Sequence, residues 1–185
     1  QNAYCNNLTA IDAVFAFKGK KPLSVSGSVN VNKNVDFQRF KGDINFVSQE
    51  NSEINLAAEL NSNIFFDQAG GTWNLKSDLA TNKNIYLQKG YLNTNNQTVT
   101  CYEFNGNSSS KRALNLGKSQ VNVNNWNFSE SFNLNFYAEK SNLVFAEDIA
   151  PNFATASDLF YGDIRSGSSK ASHTLETTPT DATCP

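Results

Sequence analysis

Methionine is absent from the 185 residues, histidine occurs once, and only 17% of the side chains are charged. Each shortage narrows the function classes. With no methionine even at position 1, the chain is expected to be a processed product or an excised fragment, and Gln1 suits the residue left by signal-peptidase cleavage. A secreted protein is therefore expected. The single histidine, His173, sits in a Ser/Thr-rich tail without a neighbouring Cys or Asp, which argues against a His-based triad or a zinc site. A net charge of -2 leaves no cationic footprint for nucleic acid. The longest apolar run, "AVFAF", falls far short of the ~18 residues that insertion into a bilayer requires, so no membrane-inserted segment is expected. No GxSxG, P-loop or HExxH motif is found.

Cysteine is scarce too. Cys5, Cys101 and Cys184 form an odd set without CxxC spacing, which argues against thioredoxin chemistry as well as zinc. One disulfide plus a thiol, or three thiols, both remain open. Cys101 lies between Thr100 and Tyr102 in an alternating stretch and is expected as a small buried thiol, whereas Cys184 in "TPTDATCP" is expected outside the core.

What is abundant is asparagine, at 28 positions, recurring as "VNVNKNV", "LNTNNQT", "VNVNNWNF" and "FNLNF". In "RALNLGKSQVNVNNWNF" each apolar-Asn-apolar triplet puts two apolar side chains on one face of a strand and an amide on the other. Asn is poor in helices and depleted from average strands, but stacked coils about 4.8 Å apart let amides bond into ladders. A surface adapted for solubility is the competing account. Short alternating segments recur every 7 to 13 residues, from "LSVSGSVNV" (23 to 31) to "NLVFA" (142 to 146). Such spacing suits a sandwich, a barrel or a β-helix.

Two features favour coils. The pairs Trp73-Asn-Leu75 and Trp126-Asn-Phe128 read as an internal echo. Gly70-Gly71, Gly90, Gly117 and Gly162 stand at strand ends, where a tight corner needs positive φ. The expected fold is all-β, a right-handed parallel β-helix over residues 23–165, with a β-sandwich as the alternative. Residues 1–22 are expected as an N-terminal cap or lead-in, with "AIDAVFAF" (10 to 17) as the cap, and 166–185 as a polar linker or tail. Expected inward side chains are Leu75, Leu87, Leu116, Val123, Phe128, Phe136 and Phe145, and alternation adds Phe132 and Leu134.

No residue is assigned a catalytic, cofactor-binding or metal-binding role. Glu147-Asp148 with Asp158 and Asp163 is the one local acidic concentration in the strand-rich part, and it lacks the Asx and Gly spacing of a calcium loop. Glu50 and Glu53, and the basic turn of Lys18, Lys20 and Lys21, are expected to face water. Tyr86, Tyr91, Tyr102 and Tyr137 lie in or beside strands, where an outward ring could stack on a sugar. An ice-binding surface would need Thr-x-Thr on every coil, and among the strand-like segments only "TVT" (98 to 100) supplies it.

The stretch from Trp73 and Leu75 through Leu87, Gly90, Leu92, Asn93, Thr94 and Asn95 to Arg112, Leu114, Leu116, Gly117 and Ser119 resembles a pattern in large secreted surface proteins of Bacteroidota. There a Trp-x-Leu strand leads to L-x-x-G-x-L-N-T-N and then R-x-L-x-L-G-x-S. "WNF", "KSNLVF" and "DLFYGDI" continue it in order, so the likeness covers about residues 70 to 165, and the closing "DATCP" is similar to the entry into repeats of SprB-type gliding adhesins. The resemblance implies a β-solenoid segment of a cell-surface protein exported by the type 9 secretion system to the outer-membrane exterior. It implies an adhesive or structural role without cofactor or catalysis, with a surface polysaccharide or a cell-surface or secretion-machinery protein as partner. A carbohydrate-binding or polysaccharide-degrading β-helix is the alternative.

Overall fold

In the computed structural model, which describes residues 2–11, 14–146 and 152–166, all the regular elements are strands and their pairings are parallel. The chain winds as a β-solenoid of about seven turns, a parallel β-helix. Three walls build each coil. The first wall runs Ala3–Cys5, Leu23–Val25, Ile44–Phe46, then 64–67, 84–87, Glu103–Asn105, Asn125–Phe128 and Asn152–Thr155. The second runs Leu8–Ala10, Val29–Val31, Asn51–Leu56, then 72–75, 90–93, Arg112–Asn115 and 134–137. The third closes the coil through Leu79–Ala80, Val99–Thr100, Gln120–Val123, 142–145 and 163–166.

Register makes the core. Side chains alternate along a strand, so in-register coils stack inward residues into columns. One column on the first wall reads Leu23, Ile44, Ile64, Ile85, Phe104 and Trp126, each at most 4% exposed. Beside it Phe46 and Phe66 stack at 5.1 Å. Each inward aliphatic or aromatic contributes about 1.5–3 kcal/mol of burial. Leu75, Leu87, Leu116, Val123, Phe128 and Phe145 are inward as expected, and Phe136 is partly buried against the same core.

Phe132 is not inward: it is 73% exposed. It lies in a turn with Asn133 at φ 57°, and its carbonyl is taken by Arg112, so the alternation that reaches Phe136 starts at Leu134. The tryptophan echo is not the repeat either, because Trp73 belongs to the second wall and Trp126 to the first. The repeat is the coil, at 19 to 27 residues.

Residues 8–10 and 15–16 pair in parallel with Val29–Val31 and Val35–Asp36, so pairing begins at Ala3 and the N-terminal segment forms rungs. Ile11, Val14 and Phe15 are exposed instead of folded over an end.

Asparagines do two jobs. Across coils, Asn74 Nδ2 donates to Asn51 Oδ1 at 2.6 Å, Asn55 Nδ2 to Asn30 Oδ1 at 2.9 Å and Asn107 Nδ2 to Asn127 Oδ1 at 2.7 Å. At corners, Asn93, Asn105 and Asn115 accept from the backbone N–H two residues on, and Asn95 and Asn96 adopt positive φ. Glycines divide similarly. Gly70, Gly90 and Gly117 have positive φ, whereas Gly71 and Gly162 do not. Gly106 is required for space: a Cβ there would stand 2.0 Å from the Phe128 ring, which occupies the inward position of the next coil.

Candidate ligand-binding groove

On the second wall, inward Trp73, Leu92, Leu114 and Phe136 leave the opposite phase facing out: Thr72 and Asn74, Tyr91 and Asn93, Ala113 and Asn115, Asn135 and Tyr137. Of these, Thr72, Tyr91, Ala113, Asn115, Asn135 and Tyr137 line an open groove across successive coils. One part, about 520 Å³, runs over Gly70, Gly90 and Lys111 to Tyr91 and Asn135. The next, about 540 Å³, is lined by Tyr91, Ala113, Asn115, Asn135 and Tyr137. A third, about 280 Å³, continues from Asn135 and Tyr137 to Asp158 and Phe160. Shared lining residues make the three parts contiguous.

The groove edge is set by a buried cation. Arg112 is 2% exposed. Its guanidinium donates to the carbonyls of Gly106 and Glu130, and at 2.6, 3.2 and 2.9 Å to those of Ser108, Ser110 and Phe132. Burial pulls its pKa below the usual arginine value, partly opposed by Glu130. The fork therefore staples the loop before residue 112 to the turn before residue 134; one Nη2 N–H is left over, but the side chain is almost wholly buried. Lys89 is held 3.0 Å from Asp67, so its charge is matched. Lys111 is the exposed cation at this edge, and Asp158 the exposed acid at the other end.

Of the four tyrosines expected outward, Tyr91 and Tyr137 meet in this groove. Tyr86 lies on the first wall, stacked on Phe65 at 4.6 Å and 9°, and Tyr102 stands 43% exposed at a corner. Asp163 is bound by Arg165 at 2.7 Å; Glu147, Asp148, His173 and Cys184 lie outside the described residues. Glu53 is exposed and pairs with Lys76 at 3.0 Å, and Glu50, Lys18, Lys20 and Lys21 face water. Cys101 is buried, and desolvation pushes its thiol pKa well up, which suits an inert core thiol. Among the described residues no three His, Cys, Asp or Glu side chains cluster for a metal. Sequence reasoning missed Ala113 and Asn135. Their signal is the outward phase of "RALNLG" and "LNFY", but only coil register puts Ala113 on the coil between Tyr91 and Tyr137 and Asn135 in line with Tyr91.

Compared with protein-family models, with curated proteins and with solved structures, the chain matches none. The groove is therefore read from its own chemistry.

Proposed function

We propose that this chain is a non-catalytic, adhesive segment of a secreted surface protein, carried to the outer-membrane exterior by the type 9 route and engaging a surface polysaccharide. The observation that carries the reading is the second-wall groove, where two tyrosines and two asparagine amides converge on a shallow surface. Flat apolar rings beside donor-acceptor amides suit a polymer with alternating C–H faces and hydroxyls. A stiff rod presenting a repeated outer face also suits attachment, because each coil adds contacts of modest strength. The resemblance in sequence supports the surface-protein part: its Trp73, Leu75, Leu87, Leu92, Arg112, Leu114, Leu116 and Ser119 are all buried, and Gly90 and Gly117 are positive-φ corners. That pattern is what a shared solenoid needs.

A polysaccharide array read together with product analysis tests the proposal. Retention of at least one surface polysaccharide, with no shortening of the chain, is the expected result. Release of oligosaccharide products, or no retention on any polysaccharide, overturns it.

A further inference from the structure

Within the groove, one subsite is set by the register of three successive coils. Tyr91 pairs with Ala113, and Ala113 with Asn135, so Ala113 is the small residue on the coil between the two tyrosines. Tyr137 pairs with Asn115 on the same intermediate coil. The two tyrosines are thus two coils apart, or roughly twice ~4.8 Å. On the first wall, where adjacent coils both carry outward rings, Phe65 and Tyr86 stack at 4.6 Å. Across Ala113 from Tyr91 stands Asn135, with Tyr137 two residues along the same strand, so the two rings border the alanine diagonally. The tyrosines stand in neighbouring columns, and Asn115 Nδ2 donates to the Tyr91 hydroxyl at 3.2 Å, which ties Tyr91 towards the column that holds Tyr137.

We infer that this slot, floored by Ala113 and bordered by Tyr91 on one side and by Asn135 and Tyr137 on the other, takes a single neutral hexopyranose unit of a polysaccharide. The assignment rests on the adhesive reading above and names its recognition site. A pyranose presents C–H faces to the tyrosines and a rim of hydroxyls to Asn135, whose amide can donate and accept, and to Asn115, which already donates to Tyr91 and accepts from the Gly117 N–H and keeps one Nδ2 hydrogen and one lone pair. Charge argues for a neutral sugar. Lys89 is matched by Asp67 and Arg112 is buried against carbonyls, so among the described residues Lys111 at one edge and Asp158 at the far end are the unmatched exposed charges lining the groove, and they oppose each other in sign.

The test uses the whole chain with tetrasaccharides of glucose, mannose and N-acetylglucosamine as probes, and a galacturonic acid tetramer as the acidic comparison. At least one neutral probe is expected to bind, with its ring protons shifted upfield by the flanking aromatics. Tyr91→Ala and Tyr137→Ala are each expected to weaken binding about tenfold or more. Ala113→Tyr fills the slot while keeping both rings and is expected to abolish binding. Tyr86→Ala, which removes a tyrosine from the other wall, is expected to bind as the parent does, and matching circular dichroism melts show that the variants are folded. Undiminished binding by the Tyr91, Tyr137 and Ala113 variants overturns the subsite while leaving polysaccharide retention, and so the adhesive reading, standing. Failure of every neutral probe, or tighter binding of the acidic tetramer, overturns the neutral-sugar assignment; a blank polysaccharide array as well removes the adhesive reading with it.

Discussion

The first coil, residues 3–20, and the last described coil, residues 152–166, are each paired to one neighbouring coil among the described residues, yet they are finished differently. In the first, Tyr4 is 73% and Val14 85% exposed, and the inward contribution is Cys5, Leu8, Ala10 and Phe17, all only partly buried. In the last, Phe153 and Tyr161 turn in on Phe136, Phe145 and Trp126, with ring centroids 5.1 to 6.0 Å apart. Tyr161 also has its hydroxyl satisfied, accepting from Trp126 Nε1 at 2.9 Å and bonding Thr155 Oγ1 at 2.7 Å. Both ends have the ladder hydrogen bonds. What separates them is the size and polar satisfaction of the side chains that point inward, which decides how firmly a rung is held.

Breaking the aromatic end should have the largest effect. Trp126→Ala removes a fully buried indole that touches Phe104, Phe128, Phe136 and Tyr161, and leaves the Tyr161 hydroxyl one partner short. A loss of about 3–5 kcal/mol is expected in denaturant unfolding. Amides of 152–166 should exchange faster by a larger factor than those of 23–56, which the indole does not touch.

Tyr161→Phe sharpens the same comparison with one atom. It leaves Trp126 Nε1 and Thr155 Oγ1 without their partner, at a cost of about 1–3 kcal/mol near neutrality. Burial pushes the Tyr161 pKa from 10.0 up to about 12, with the Thr155 and Trp126 hydrogen bonds opposing the rise. Below pH 10 the phenol is neutral whether the chain is folded or not. Between about pH 10 and 12 the unfolded phenol ionises first, so the wild-type advantage falls as pH rises, by up to roughly 3 kcal/mol for two pKa units. The phenylalanine variant lacks that fall, and the gap between the two proteins should narrow across this window in melts at successive pH values. A constant gap would mean that the hydroxyl is solvated.

The middle coils were legible because composition and phase agree there. In "GDINF" and "GTWNL" an inward residue recurs every second position, and the structure buries Ile44, Phe46, Trp73 and Leu75. The unread strands are those too short to show a period, such as Val35–Asp36 and Leu79–Ala80, which exist because a strand of a neighbouring coil pairs with them. "QTVTCYEF" reads as one strand but breaks into Val99–Thr100 and Glu103–Asn105, because buried Cys101 turns the corner between walls. The groove was half legible. Alternation can send Tyr91 and Tyr137 outward, but the distance between them is a matter of coil register, which depends on loops of unequal length and not on any local pattern.

The smallest effect is expected at the other end, from Val14→Ser and Phe15→Ser. Val14 is 85% and Phe15 44% exposed, and Phe15 pairs through its backbone with Val35 in a short two-residue ladder. A side chain already in water has little burial to lose, and the ladder hydrogen bonds do not depend on it. Val14→Ser should therefore shift unfolding by no more than about 0.5 kcal/mol, the range of surface changes, and Phe15→Ser by somewhat more because over half of that residue is covered. The inward neighbour Phe17, which stacks on Phe37 at 4.9 Å, supplies the contrast: Phe17→Ser should cost several times more. If Val14→Ser instead costs as much as Phe17→Ser, the outer face of the first coil is covered in solution, and the two ends are alike in being closed after all.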